Sequence, residues 1–374
     1  METEGTVRLK VLEALSLKHR VEKCTHSTDG KRIAVCLGDF SVRIYDEATS
    51  DSAHAEDEQE SSPSLRLFCT FKGHTLNVWS AGFSADSRLL CSGSSDMTVR
   101  VWHLEKQESI FTFTQHSDTV WCCSFMPCSS DLVASGSSDK TVKIWNHVTG
   151  ELLHNLNTYN GVVESLSFSK DGTKLCTGSR DCRVILWTNI SPKTNVTPDN
   201  LVLYEGEEWI RFVAFSKHDQ NLLLTSGSSN TVLMWDLSEV SLTEQQTPVT
   251  SKTPSQTASR KTLKTVRFSD GVESGQRLKK VHSPILELKG HLNTVWDACF
   301  AAASSDLNLV ITCSGDRSLR FWDLGSDGRC IQETQLEGAA DSQFLTCSFS
   351  TESKLLVVGT YVGSLLLLEC AIAQ

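Results

Sequence analysis

Three stretches of this chain repeat one pattern, and that repetition limits what the chain can fold into more than any other feature. They are GHTLNVWSAGFS…LLCSGSSDMTVRVW (73–102), QHSDTVWCCSFM…LVASGSSDKTVKIW (115–145) and GHLNTVWDACFA…LVITCSGDRSLRFWD (290–323). In each, an Asp precedes a Trp by six residues: Asp96 and Trp102, Asp139 and Trp145, Asp316 and Trp322. Repeats of this length are supersecondary units that cannot bury a core alone and must stack on one another.

Alignment on a first-strand Phe and a third-strand aromatic extends the pattern. Phe83 and Trp102 are 19 residues apart, Phe125 and Trp145 are 20, Phe168 and Trp187 are 19, Phe215 and Trp235 are 20, and Phe300 and Trp322 are 22. Two degenerate copies flank these five. The first has His26 at the Phe position, Asp39 in register and Tyr45 for Trp. The last has Phe349 and, near the Trp position, Leu368. Each of the seven copies reads as short alternating strands a, b and c, separated by turns such as SADS, SKDG and STES. The segments that follow (LRLFCTF, SIFTFTQ, ELLHNLN) supply an outer strand d.

The totals agree with a globular chain and exclude several classes. Of 374 residues, 39% are hydrophobic and 21% charged, ordinary values for such a protein. A formal net charge of −10 argues against general binding to a nucleic-acid backbone. METEGTVRLK has charges where a secretory signal needs an apolar stretch, and no apolar run approaches a membrane span. The 14 cysteines include no C-x-x-C pair, so neither a zinc nor a redox site is expected. They fall in strand patterns, as small packed hydrophobes in a reducing cytoplasm or nucleus. The glycosylation patterns at Asn189 and Asn195 are then chance matches.

Gly73-His74, Trp235-Asp236, Gly290-His291, Trp322-Asp323 and the SGSSD turns make the chain resemble the WD-repeat β-propeller family. The resemblance implies an all-β fold: a single seven-bladed propeller over residues 6–374. The N-terminal strand TVRLKVL would close the ring as strand d of blade 7, removing an open sheet edge. Three Ser/Thr-His-Asp sets look catalytic: Ser92, His74, Asp96; Ser135, His116, Asp139; Thr312, His291, Asp316. A hydrolase needs one such set with an oxyanion hole. Three copies, each followed by Trp102, Trp145 or Trp322, are by family resemblance internal hydrogen-bond networks. No catalytic, cofactor or metal residue is expected. The pattern decays elsewhere: Tyr159 takes the His position in blade 4, and Gly206 and Ser229 replace His and Asp in blade 5.

Trp79, Trp121 and Trp296 share one register position at the start of strand a; Glu164 and Arg211 hold it in blades 4 and 5. In this family, the rim at that end often engages partner peptides, and aromatic or Arg residues there suit hot spots. The competing reading is packing between blades.

Two insertions fall between strands c and d and are read as disordered. One, 46–64, is acidic; the other, 238–283, is basic and rich in Ser and Thr. The second contains Lys264-Thr265-Val266-Arg267-Phe268, which resembles the short motif that docks the type-1 serine/threonine protein phosphatase. An extended peptide adding to a sheet edge would direct Val266 and Phe268 to one side, with Lys264 as the basic position. The ordinary alternative is a loop with one apolar stretch. Six of the seven prolines follow Ser or Thr, a pattern that proline-directed kinases use and that loops also favour.

The resulting expectation is a non-enzymatic scaffold, with phosphatase targeting as its specific form. A peptide reader in a nuclear or chromatin complex is the alternative. A ubiquitin-ligase substrate receptor loses support, because WDLS at 235 and WDLG at 322 lack the Trp-Asp-x-Arg ending.

Overall fold

The computed structural model of the protein describes residues 7–48, 64–190, 197–238, 283–302, 308–325, 327–336 and 342–372. Strand β1 (Val7–Ser16) precedes blade 1, which holds β2 (Val21–His26), β3 (Arg32–Leu37), β4 (Val42–Ala48) and β5 (Ser64–Phe71). Blade 2 holds β6 (Val78–Phe83), β7 (Leu89–Ser94), β8 (Val99–His103) and β9 (Glu108–Phe113). Blade 3 holds β10 (Val120–Met126), β11 (Ser129–Ser137), β12 (Val142–Asn146) and β13 (Glu151–Leu156). Blade 4 follows with β14 (Val163–Phe168), β15 (Lys174–Ser179), β16 (Arg183–Thr188) and β17 (Asp199–Glu205). Blade 5 has β18 (Ile210–Phe215), β19 (Leu222–Gly227), β20 (Thr231–Asp236) and β21 (Leu286–Lys289). Blade 6 has β22 (Val295–Ala302), β23 (Asn308–Ser314), β24 (Leu319–Asp323) and β25 (Arg329–Thr334). The last strands are β26 (Phe344–Phe349), β27 (Leu355–Thr360) and β28 (Ser364–Ile372).

Every sheet has four antiparallel strands, and the seventh runs β1-β28-β27-β26. The N-terminal strand therefore closes the ring as expected, with Val7 opposite Ile372 and Ser16 opposite Ser364. The repeat alignment also holds residue by residue. Leu368 lies opposite Leu356 as Trp102 lies opposite Leu90, and His26 faces Ile33 as Phe83 faces Leu90. One expected boundary is corrected. Strand β4 runs through Ala48, so Asp46 and Glu47 belong to the sheet rather than to the acidic insertion. Asp46 pairs with Arg32 (2.9 Å), and Glu47 lies buried 3.0 Å from His26 Nε2. Alternation along β4 is masked by the acidic run that follows it.

The core lies between blades rather than within one. Among the described residues the buried apolar side chains form seven clusters, each shared by two neighbouring blades. Phe71 of blade 1 stacks on Trp102 of blade 2 at 4.9 Å, and Phe113 of blade 2 on Trp145 of blade 3 at 4.5 Å. A single four-stranded sheet has too little apolar area to offset its ordering entropy, so it depends on its neighbours. All 14 cysteines are free and most are buried. Burial pushes the Cys24 thiol up to about 12, which keeps it protonated and unreactive.

A central channel of about 770 Å³ is lined by the inner strands of all seven blades. Side chains bridge these strands across the seams: Ser80 Oγ accepts the Cys123 N–H (3.2 Å), and Ser165 Oγ accepts the Val213 N–H (3.0 Å). The strongest bridge spans blades 6, 7 and 1. Asp297 Oδ2 accepts from Lys23 Nζ at 2.6 Å, Thr346 Oγ1 at 2.8 Å and the Cys347 N–H at 3.2 Å. Burial opposes the Lys23 charge, but the Asp297 carboxylate outweighs it and raises the Lys23 pKa. Lys23→Ala leaves a buried carboxylate short of its cation and should cost about 3 kcal/mol in urea unfolding. Lys23→Met combined with Asp297→Leu should recover most of that loss.

Candidate functional site

The three Ser/Thr-His-Asp sets form closed networks. In blade 2, the Trp102 indole N–H donates to Ser92 Oγ (2.8 Å), which donates to His74 Nε2 (2.7 Å). His74 Nδ1–H donates to Asp96 Oδ2 (2.8 Å). This tautomer follows from the ends of the chain, since the indole can only donate and the carboxylate only accept. Blade 3 repeats the arrangement with Trp145, Ser135, His116 and Asp139, and blade 6 with Trp322, Thr312, His291 and Asp316. The Ser92, Ser135 and Thr312 residues are 0% exposed. A hydroxyl that is sealed, and that already accepts an indole N–H, is not placed to attack a substrate.

The carboxylates also shape the outer turn. Asp96 Oδ1 accepts the Thr98 N–H (3.0 Å) and hydroxyl (2.6 Å), and Met97 between them has φ 66°. The residue after the Asp adopts the same left-handed backbone in blades 1, 3, 4 and 6, at Phe40, Lys140, Cys182 and Arg317. An Asp that holds its own turn is the local reason for this conformation.

The decayed copies keep part of the device. In blade 4, Tyr159 accepts from the Trp187 indole (2.9 Å) and bonds Thr177, while Arg183 Nε donates to Asp181 at 3.1 Å. Blade 5 keeps only Trp235 to Thr225 (2.9 Å). There Glu208 accepts the Ser229 N–H (3.0 Å) where the turn lacks its Asp. In blade 1 the exposed His19 stands 4.0 Å from Asp39, a remnant that sequence reading missed.

Burial alone would raise the pKa of Asp96, Asp139 and Asp316. The His and Thr or Ser donors outweigh it and hold all three well below the usual carboxylate range. A group whose folded pKa is depressed contributes stability above its unfolded pKa of about 3.9, lost as pH falls through the folded value. Urea-unfolding free energy should therefore decline progressively below about pH 4. Asp139→Asn should be less stable at pH 7 and show a shallower acid decline. An acid limb identical to wild type would contradict this assignment.

The open end of the channel is different in kind. In all seven blades the pairing of strands a and b skips one residue near the start of strand a. The skipped residues are Glu22, Trp79, Trp121, Glu164, Arg211, Trp296 and Leu345. A bulge of this kind re-aims the side chain it carries, and all seven line the channel mouth. The register position of the three Trp residues is thus the bulge position. Glu22 and Leu345 complete its ring, although the two degenerate blades hid them from sequence alignment.

Around the mouth, aromatic rings and guanidinium groups interleave. Trp79 and Trp121 pack across the blade 2–3 seam with centroids 4.6 Å apart. Arg20 lies over Trp79 (5.4 Å) and Tyr361 (5.1 Å), Arg180 over Trp121 (5.5 Å) and Trp209 (5.4 Å), and Arg211 over Trp296 (4.9 Å). Glu22 bonds Arg20, and Glu164 bonds Arg180. The three ring Trp residues are half-buried, whereas Tyr361 and Trp209 are 53% and 46% exposed. Packing between blades and display to solvent, posed as competing readings, are therefore both present in one belt. Lys264, Val266 and Phe268 lie outside the described residues.

The family model described as "WD domain, G-beta repeat" matches residues 65–103, 107–146, 150–188, 200–236 and 282–323, more than half of the chain. The chain belongs to the WD-repeat family. Each match begins near an outer strand d and ends with strand c of the next blade, so the sequence repeat is offset from the structural blade. Strands a, b and c of the degenerate first and last blades fall outside the matches.

Among curated relatives, nuclear distribution protein PAC1 of Arthroderma benhamiae is 27% identical over 74% of this chain and 56% of its own length. Apoptotic protease-activating factor 1 of Rattus norvegicus is 29% identical over 50% of this chain and 14% of its own. THO complex subunit 3 of Arabidopsis thaliana is 49% identical over 14% of this chain and 16% of its own. The chain thus spans little more than half of the first of these, and far less of the others. Among the described residues, no helix is long and apolar enough to cross a membrane.

Proposed function

We propose that this protein is a non-enzymatic interaction scaffold that binds a partner polypeptide across the channel rim. The observation that carries this reading is the belt of aromatic and Arg side chains at one end of the channel, of which Trp79, Trp121, Arg211 and Trp296 sit on the bulges. Large, stiff aromatics backed by guanidinium groups bind at low entropic cost. Propellers of this family bind proteins or peptides, and one relative is by name a complex subunit. Cytoplasm or nucleus is the proposed location.

The more specific form adds an enzyme partner. The insertion between strands c and d of blade 5 leaves and re-enters one sheet, with Met234 opposite Leu286 and Thr231 opposite Lys289. Its attachment points therefore do not interrupt the blade. They lie at the end of the propeller opposite the rim, so rim and insertion can be occupied together. In this reading Lys264, Val266 and Phe268 dock the type-1 protein phosphatase while the rim holds the substrate protein. Phosphorylation at Ser/Thr-Pro sites would modulate the loops.

Two measurements test this. Affinity purification with Trp79→Ala/Trp121→Ala should reduce recovery of rim partners at least about tenfold, or ~1.4 kcal/mol, with the fold retained by circular dichroism. Undiminished recovery would remove the rim reading. Separately, Val266→Ala/Phe268→Ala should abolish phosphatase capture and leave rim partners unchanged. Phosphatase recovered equally by both proteins ends the docking idea, and rim-dependent capture of chromatin subunits would favour the nuclear alternative.

A further inference from the structure

One member of the rim is built differently from its equivalents. The Trp79 and Trp121 indole N–H groups each donate to a turn serine, Ser95 and Ser138, at 2.7 Å. The corresponding residue in blade 6 is Gly315. Trp296 Nε1 is buried and, among the described residues, has no acceptor. A Cβ placed on Gly315 would lie 3.1 Å from that nitrogen and 3.3 Å from Cγ of the exposed Asn293. The space that a serine side chain would fill thus lies beside the indole and next to Asn293, whose Oδ1 accepts the Thr294 N–H at 2.7 Å.

Arg211 lies against this indole, and its Nε is likewise buried with no acceptor. Its other nitrogens do not remove its charge. The Glu164 carboxylate, 3.8 Å from Arg211, is already bonded by Arg180, so two guanidinium groups share one acid. Glu208 on the adjoining loop is turned toward the Ser229 N–H. This side of the mouth thus carries two orphan donors, and Glu164 is the one carboxylate within ion-pair distance of Arg211 among the described residues. Buried donors are normally paired, and an exception calls for an explanation. A carboxylate meets both demands at once, because it accepts in the plane of a guanidinium and carries the opposite charge.

We propose that Trp296, Arg211 and the notch at Gly315 form an acceptor site that takes an acidic side chain of an extended partner polypeptide. This rests on the rim reading above and gives it a chemical preference. Neither backbone carbonyls nor amides would supply the charge that Arg211 lacks.

The test uses the full chain carrying ¹⁵N-indole tryptophan, with the Trp296 resonance assigned through Trp296→Phe. The probes are capped Gly-Ser-Glu-Ser-Gly, the same peptide with Gln or Lys in place of Glu, and sodium acetate. The Trp296 indole signal should move with the Glu peptide and stay fixed with the Gln and Lys peptides. Arg211→Gln should weaken the response at least tenfold. Gly315→Ser, which returns an internal acceptor, should suppress it, with unmoved Trp79 and Trp121 signals reporting an intact rim. A fixed Trp296 signal in the wild-type protein overturns the proposal, as does acetate acting as strongly as the peptide. If Trp296 is silent while captured partners still depend on Trp79 and Trp121, only the acidic preference fails. If Trp296 responds but no captured partner depends on those residues, the rim reading fails instead.

Discussion

The structure depends on the pairing of its two chain ends. Seven sheets share their apolar faces pairwise, so every blade needs a neighbour on each side, and a ring supplies one only when closed. Strand β1 does this by hydrogen bonding along β28, and Val7 enters the cluster between blades 6 and 7. The Asp297–Lys23–Thr346 bridge crosses the same sector from inside the channel. Closure is thus held at the outer edge by a sheet ladder and at the inner edge by a buried ion pair. Blade 7 lacks the indole network of the better-formed blades, yet its cohesion comes from long-range contacts instead.

Much of this frame was legible in the sequence, for a physical reason. The Trp at the end of strand c, the Asp six residues earlier and the His before strand a are fixed by a network whose members have no substitutes of the same shape. Even the degenerate positions, His26, Tyr159 and Leu368, occupy their aligned sites. What escaped is what spacing does not encode. The bulge leaves the residue count between strands unchanged from blade to blade, so a repeat alignment cannot reveal it. The Lys23–Asp297 pair joins residues at opposite ends of the chain. The orphan nitrogen of Trp296 arises from a missing side chain at Gly315, a difference of one small residue inside a turn. Asp46 and Glu47 were obscured because their charge merged with that of the following stretch.

The networks and the rim divide the polar chemistry of the protein between two tasks. Ser, His and Asp residues that resemble a hydrolase triad are enclosed, satisfied and turned toward their own backbone. Two buried donors without an acceptor, Trp296 Nε1 and Arg211 Nε, lie at the channel mouth on blades 5 and 6.

The bulge has one further consequence. A side chain that sits outside the ladder contributes little to the pairing of its strand, so its identity is weakly constrained by the fold. Seven such positions encircle one opening, and here they hold Glu, Trp, Trp, Glu, Arg, Trp and Leu on nearly identical backbones. One backbone thus carries four residue types at this mouth, while the blades beneath stay the same.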